Sequence, residues 1–318
     1  MILSEANGHA TAWTADALDA RIVRYAELVP CLNAFVDTRS PGSDAKENFT
    51  IIGPGVSENP DQHIHIAEAH GFNIGGARQP PGCTNSQHSH DTAEVFVVHS
   101  GNWRFDFGEH GDDAQIAAAP GDIVSFPTKA FRGFRNVGME SGFLWSVLGG
   151  DDPGRVTWAP AVFEMARDYG LVLLENGSLV DTAAGQQMPD DVAPMPVTSP
   201  ETIASLRVMR DEDADEVLDR APPAPSTGET LIIGEGGTLP PVEGFTLSRL
   251  VLGHNGATDE TVTDLPEVVF VQSGEVMVQT PGAASRLNAG DTMTVPRGLP
   301  RRYTSPDGAV MIRVRGTG

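Results

Sequence analysis

The chain has 318 residues, 40% of them hydrophobic, and its 43 acidic against 21 basic side chains leave a formal net charge of −22. That length suits two domains. An acidic surface of this kind repels phosphate backbones and anionic lipid headgroups, so neither nucleic acid nor membrane is an expected partner.

The chain opens Met1-Ile2-Leu3-Ser4-Glu5, with no basic region before an apolar stretch, so it does not read as a secretory signal. A helical turn is predicted around residues 15–20 and a strand over 21–29. Short strands follow at 49–52, 63–66 and 72–78, and the Pro80-Pro81-Gly82 turn leads into a further strand. That strand carries His88 and His90, two residues apart, so their side chains share a face. Glu94 then opens the apolar run 95–98. Two imidazoles and a carboxylate converging from adjacent strands form a face suited to a divalent metal with open positions.

More strands are predicted at 102–108, 122–126, 131–136 and 143–148. Residues 159–169 read as a helix with Pro160 at its first position and Gly170 at its stop. Ser199-Pro200-Glu201 reads as a capped helix start, with the helix running to about residue 210. The acidic run 211–216 reads as a solvated face and 221–226 as a loop. Strand signals resume at 231–233, 246–252, 267–272, 276–279, 292–295 and 310–314. Frequent short strands, with 35 Gly and 24 Pro to turn them, point to all-β barrels or sandwiches. No apolar run is long enough to cross a membrane as a helix. Two cysteines, Cys31 and Cys83, give no disulfide framework and suggest a reduced, cytoplasmic setting. Cys83 reads as a small turn-adjacent residue.

Residues 82–101 resemble the first motif of the cupins, G-x5-H-x-H-x3-E-x6-G, with Gly82, His88, His90, Glu94 and Gly101 on its fixed positions. The second motif, G-x5-P-x-G-x2-H-x3-N, is met by Gly121, Pro127 and Asn136. Lys129 stands at its inner glycine, and Arg132 at its usual third metal-binding histidine. The segment 93–101 is echoed by 266–274, and 120–127 by 289–296. In the second copy Thr261 and Thr263 replace the histidines, Glu267 is kept, and Arg301 falls where Arg132 does.

The chain thus resembles a bicupin, implying two jelly-roll barrels in an all-β chain with a partly helical connection. The divisions expected are 1–165 for the barrel with the metal site, 166–227 for the connection and 228–318 for the degenerate barrel. The resemblance implies one divalent metal per chain at His88, His90 and Glu94, with Fe(II) preferred and Mn, Ni or Zn as alternatives. It also implies a small-molecule substrate and a homodimer or higher homo-oligomer. Gentisate-type and quercetin-type dioxygenases are the obvious comparison. A non-redox isomerase or lyase, and a metal-free binding or structural bicupin, are the alternatives.

Arg132 is the residue expected to contact an anionic substrate or, alternatively, to pair with Glu94. In the metal-free reading, Glu94–Arg132 and Glu267–Arg301 each close the bottom of a barrel by a salt bridge. His63, His65 and Glu68 read as packing or surface groups, and His99 falls on the opposite strand face from Glu94. Arg78 and Arg104 are weaker candidates for the barrel mouth.

Overall fold

The structure, a computed structural model, describes residues 13–317. The reading of the first residues as lacking a signal lies outside them. Two β-barrels are joined by a segment of short helices and minor strands.

In the first barrel, among the described residues, a seven-stranded sheet runs in the order Leu218–Asp219, Ile123–Phe126, Glu94–Ser100, Gly142–Gly149, Phe72–Gln79, Glu47–Ile52, Ile64–Ile66. It faces a five-stranded sheet ordered Val156–Trp158, Thr84–His90, Arg132–Asn136, Trp103–Phe107, Ala114–Ala118. Inner side chains alternate with outer ones, as at Trp103, Phe105 and Phe107, which are all fully buried. The hairpin turns use residues that tolerate positive φ: Gly101 at +84° and Gly121 at +91°, with counterparts Gly274 at +82° and Gly290 at +91°.

The second barrel is built on a nine-stranded sheet whose central strand, Glu267–Thr280, is 14 residues long and pairs with Ala309–Gly316. Its edge is completed by Ile22–Val23 from the start of the chain, which pairs with Thr292–Val295. Residues 15–23 therefore serve the second barrel, although the first barrel follows them in sequence. The strand expected over 21–29 is cut to two residues because Tyr25–Glu27 turns into a 3₁₀ helix whose entry is held by Asp291. The connection carries helix Pro160–Asp168 and the hairpin Leu171–Leu173 with Leu179–Asp181. Its capped helix ends at Ala204, short of residue 210.

The barrels pack sheet against sheet through one continuous core. Val95, Val97, Trp145 and Val147 from the first meet Phe245, Val268, Phe270 and Ile312 from the second. Trp145 stacks on Phe270 at 4.8 Å and 18° and donates its indole N–H to Thr292 at 3.0 Å. Gln272 donates to the backbone carbonyl of Val98 at 3.0 Å, joining the two copies of the repeated strand.

Candidate metal centre

Ligand atoms of His88, His90 and Glu94 all lie within 4.8 Å of one another, and the three residues are buried. They come together because Thr84–His90 puts both imidazoles on its inner face and Glu94 begins the strand across the barrel. The imidazole rings stand perpendicular, with centroids 5.2 Å apart.

His88 and Glu94 are each held by a hydrogen-bond partner. His88 donates from Nδ1 to the Ser86 carbonyl at 2.7 Å, which leaves its Nε2 lone pair free. His90 Nε2 lies 3.7 Å from Glu94 Oε1. The other carboxylate oxygen, Glu94 Oε2, accepts from Arg132 Nη2 at 2.5 Å and Nε at 3.2 Å. Arg132 also reaches the His88 carbonyl at 3.2 Å.

Of the two roles expected for Arg132, the ion pair with Glu94 is the one present. The side chain is 1% exposed and does not line the cavity. The salt bridge and the metal-ligand reading are compatible, because they use different oxygens of Glu94.

Burial pushes both histidines well below the ordinary imidazole range, and the nearby Arg132 charge adds to the effect. Both are therefore neutral at pH 7, the form that ligates a metal. His90 Nδ1 is buried with no hydrogen-bond partner among the described residues. Two neutral imidazoles and a carboxylate oxygen are a donor set that fits a borderline divalent cation.

The three ligands open on a cavity of about 70 Å3 walled by Phe49, Phe96, Phe134, Leu148 and Trp158. Its polar wall includes Thr50 and Ser146, together with Asn48, whose Nδ2 is buried and unpartnered among the described residues.

Behind His88 lies a buried polar network that the sequence reading missed. Lys46 is fully buried, pairs with Asp37, and donates to Asn85 Oδ1 at 2.9 Å. Asp37 also accepts from the Ser86 backbone N–H at 3.0 Å, fixing the residue whose carbonyl holds His88. On the other flank Trp158 packs against the His88 ring at 5.3 Å and donates to Glu58 at 2.6 Å. Burial raises the Glu58 carboxyl to about 8. Asp37, Lys46 and Glu58 lie in loops or at a strand's edge between 31 and 60, where no motif or period marks them.

The remaining candidates lie elsewhere. His65 accepts from the Val29 N–H, and its ring meets His63 at 4.5 Å. His99 packs between Tyr25 and Phe270. Arg78 pairs with Glu47, and Arg104 with Asp106. Cys83 is buried outside the cavity, whereas Cys31 is on its wall, and neither forms a disulfide. No helix among the described residues is long and apolar enough to cross a membrane.

Comparison with known proteins agrees with this architecture. A family model described as a cupin domain matches residues 77–147, which include the three ligand candidates and Arg132. None of the curated proteins compared with the chain matches it. Among solved structures, an oxalate decarboxylase from Lactobacillus farciminis in complex with formate is similar, with a TM-score of 0.57 at 11% identity. The alignment covers 93% of this chain and 85% of that one. Oxalate decarboxylase from Bacillus subtilis at pH 4.6 gives 0.55 at 11% identity, covering 93% of this chain and 75% of that one. At this identity the likeness is one of fold.

Proposed function

Because the chain is a bicupin of the cupin superfamily whose first barrel gathers His88, His90 and Glu94 on one cavity, we propose that it is a metal-dependent enzyme acting on a small organic acid. The observation that carries this reading is the three-residue group itself: two neutral imidazoles and one carboxylate oxygen, buried together on one cavity. When bound, one divalent ion at these residues supplies Lewis acidity and, as Fe(II), redox chemistry with dioxygen.

The chain's own groups do the rest. The Ser86 carbonyl and Trp158 orient His88, and Arg132 fixes Glu94 so that Oε1 faces His90. The aromatic wall excludes water. Asn48 Nδ2 is the free donor for a substrate oxygen. Lys46 and Arg132 are committed to Asp37 and Glu94, so no free cation faces the substrate from these two positions.

Two reaction types fit. A facial set of three protein ligands leaves positions for both substrate and dioxygen and favours a dioxygenase. The small volume of the cavity, about 70 Å3, argues against an aromatic ring and favours a lyase or isomerase of a short-chain acid. The test is a panel of short-chain hydroxy, keto and dicarboxylic acids offered to protein loaded with Fe(II), Mn(II), Ni(II) or Zn(II), followed by product NMR and an oxygen electrode. Turnover with oxygen uptake supports the dioxygenase, and turnover without it the lyase or isomerase. The absence of turnover with every metal, together with failure of the loaded protein to bind any of the acids, would overturn the enzyme reading.

A further inference from the structure

The strand that carries His88 and His90 does not alternate strictly. Arg132 lies opposite His88, but Phe134, two residues further on, lies opposite Asn85, three residues back. One extra residue is accommodated at 86–87, a β-bulge. Regular alternation would turn Asn85 away from the imidazoles. The bulge brings it onto their face instead, and it lines the same cavity.

Asn85 holds donors there with nothing to receive them. Lys46, fully buried and paired with Asp37, donates to Asn85 Oδ1 at 2.9 Å. An ammonium only donates, so the atom it meets is the amide oxygen and the NH2 group is turned the other way. The neighbour on that side is His88 Nδ1, 3.4 Å from Asn85 Nδ2. His88 Nδ1 carries the proton that it gives to the Ser86 carbonyl at 2.7 Å, so it has no lone pair to offer. Asn85 is 7% exposed, and a buried donor without an acceptor is costly.

The rest of the wall suits the same kind of guest. Asn48 Nδ2 is likewise buried and unpartnered among the described residues. No lysine or arginine lines the cavity, and its one acidic residue is the ligand Glu94. A carbonyl oxygen brings lone pairs and no proton, and so satisfies an amide N–H fully. A hydroxyl brings a proton that Asn85 is not placed to accept, because its oxygen is turned to Lys46. The volume of about 70 Å3 limits the guest to a short chain.

We propose that the cavity takes a small oxo acid whose carbonyl oxygen accepts from Asn85 Nδ2, with Lys46 as the positioning residue that orients the amide. The assignment rests on the metal-dependent activity proposed above and names the substrate class for it.

The test is calorimetric titration of the zinc-loaded full chain, whose metal has no redox chemistry, with pyruvate, lactate and propanoate. Pyruvate and lactate differ only in carrying a carbonyl or a hydroxyl, and propanoate carries neither. The expected result is that pyruvate binds about tenfold tighter than lactate, the effect of one well-placed buried hydrogen bond. Asn85→Ala leaves Lys46 its partner Asp37 and should abolish the preference, with zinc content and propanoate affinity unchanged. A merely structural role would not move that ratio alone. Asn85→Asp keeps the shape and the acceptor for Lys46 but exchanges the free donor for an acceptor. It should reverse the order, with lactate the tighter, and its added charge acts on both acids alike. Equal binding of pyruvate and lactate by the wild type, or a preference for pyruvate that survives in either variant, overturns the proposal alone. Failure of the zinc-loaded protein to bind any of the three acids overturns the metal-dependent activity and the proposal with it.

Discussion

Lys129 occupies the left-handed region, at φ +58°, in the turn where the cupin motif has its inner glycine. The second barrel keeps Gly298 at the same turn, with φ +72°. The Lys129 backbone is held there by its N–H to the His90 carbonyl at 2.9 Å and by its own carbonyl, which accepts from Arg207 N–H at 2.8 Å. A side chain in this conformation costs about 1–2 kcal/mol, partly offset by the greater freedom of glycine in the unfolded chain. Lys129→Gly should therefore stabilise the protein by about 1 kcal/mol in urea denaturation. A loss of stability would show that the lysine side chain makes a compensating contact.

At this scale the sequence was most informative. The convergence of His88, His90 and Glu94 could be read from strand parity and spacing, because residues on one strand and at the start of the next are local. Arg132 was legible only as a pair of alternatives, since the choice between Glu94 and substrate depends on the long-range register with His88. Asn48, Lys46 and Glu58 were not legible, because Asn48 lies on the strand Glu47–Ile52 and the other two flank it, with no motif to mark them, and their partners are distant in sequence.

Among the elements, the edge strand Val156–Trp158 has the clearest consequence for stability. It pairs with the ligand strand, Trp158 opposite His88 and Val156 opposite His90, and its indole is anchored by Glu58. The Glu58 carboxyl is raised to about 8 from an ordinary value of 4.5, so between those values the folded protein holds a proton that the unfolded chain has released. Its contribution is complete below the lower value and lost as pH rises through the upper one. His88 and His90, lowered below 6.5, act in the opposite sense and only as pH falls below that value. From pH 6.5 to 8 the Glu58 effect therefore stands apart from theirs. Chelator-treated protein should lose stability across this window, by at most about 1.4 kcal/mol per pH unit. Glu58→Gln should flatten the dependence, as read from urea midpoints at the two pH values. Equal wild-type midpoints would mean that Glu58 is already ionised at neutral pH.

Element prediction failed where tertiary pairing decided the outcome. The alternation of 21–29 gave way to a two-residue strand because Asp291 captures the Tyr25 backbone. The strand Ala114–Ala118, made largely of alanine, has little intrinsic strand signal and exists because Trp103–Phe107 pairs with it.

For the whole molecule, the internal repeat announced two barrels, but nothing in it announced how they pack. The shared face is built from the repeated strands themselves, with Trp145 on Phe270 and Gln272 on the Val98 carbonyl. The Ile22–Val23 strand ties the start of the chain to the second barrel. Truncating the fully buried Phe270 removes the centre of this face. Phe270→Ala should cost about 3–5 kcal/mol and lower one cooperative transition common to both barrels. Two resolved transitions, with only one displaced, would show that the barrels unfold independently.

The division of labour between the barrels follows from their interiors. The first gathers two neutral imidazoles and a carboxylate on its cavity, whereas the second closes Arg301 and Arg315 on Glu267 and has no histidine at those positions. The claim on which the functional account depends is that His88, His90 and Glu94 hold a metal. The most direct measurement is elemental mass spectrometry of the full chain purified without chelator or added metal, beside the His88→Ala, His90→Ala double variant. The account predicts close to one equivalent of Fe, Mn, Ni or Zn per wild-type chain and none in the double variant, whose thermal stability falls only modestly. Negligible metal in the wild type even after reconstitution, or full occupancy in the double variant, would contradict it and leave Glu94 and Arg132 as a structural salt bridge.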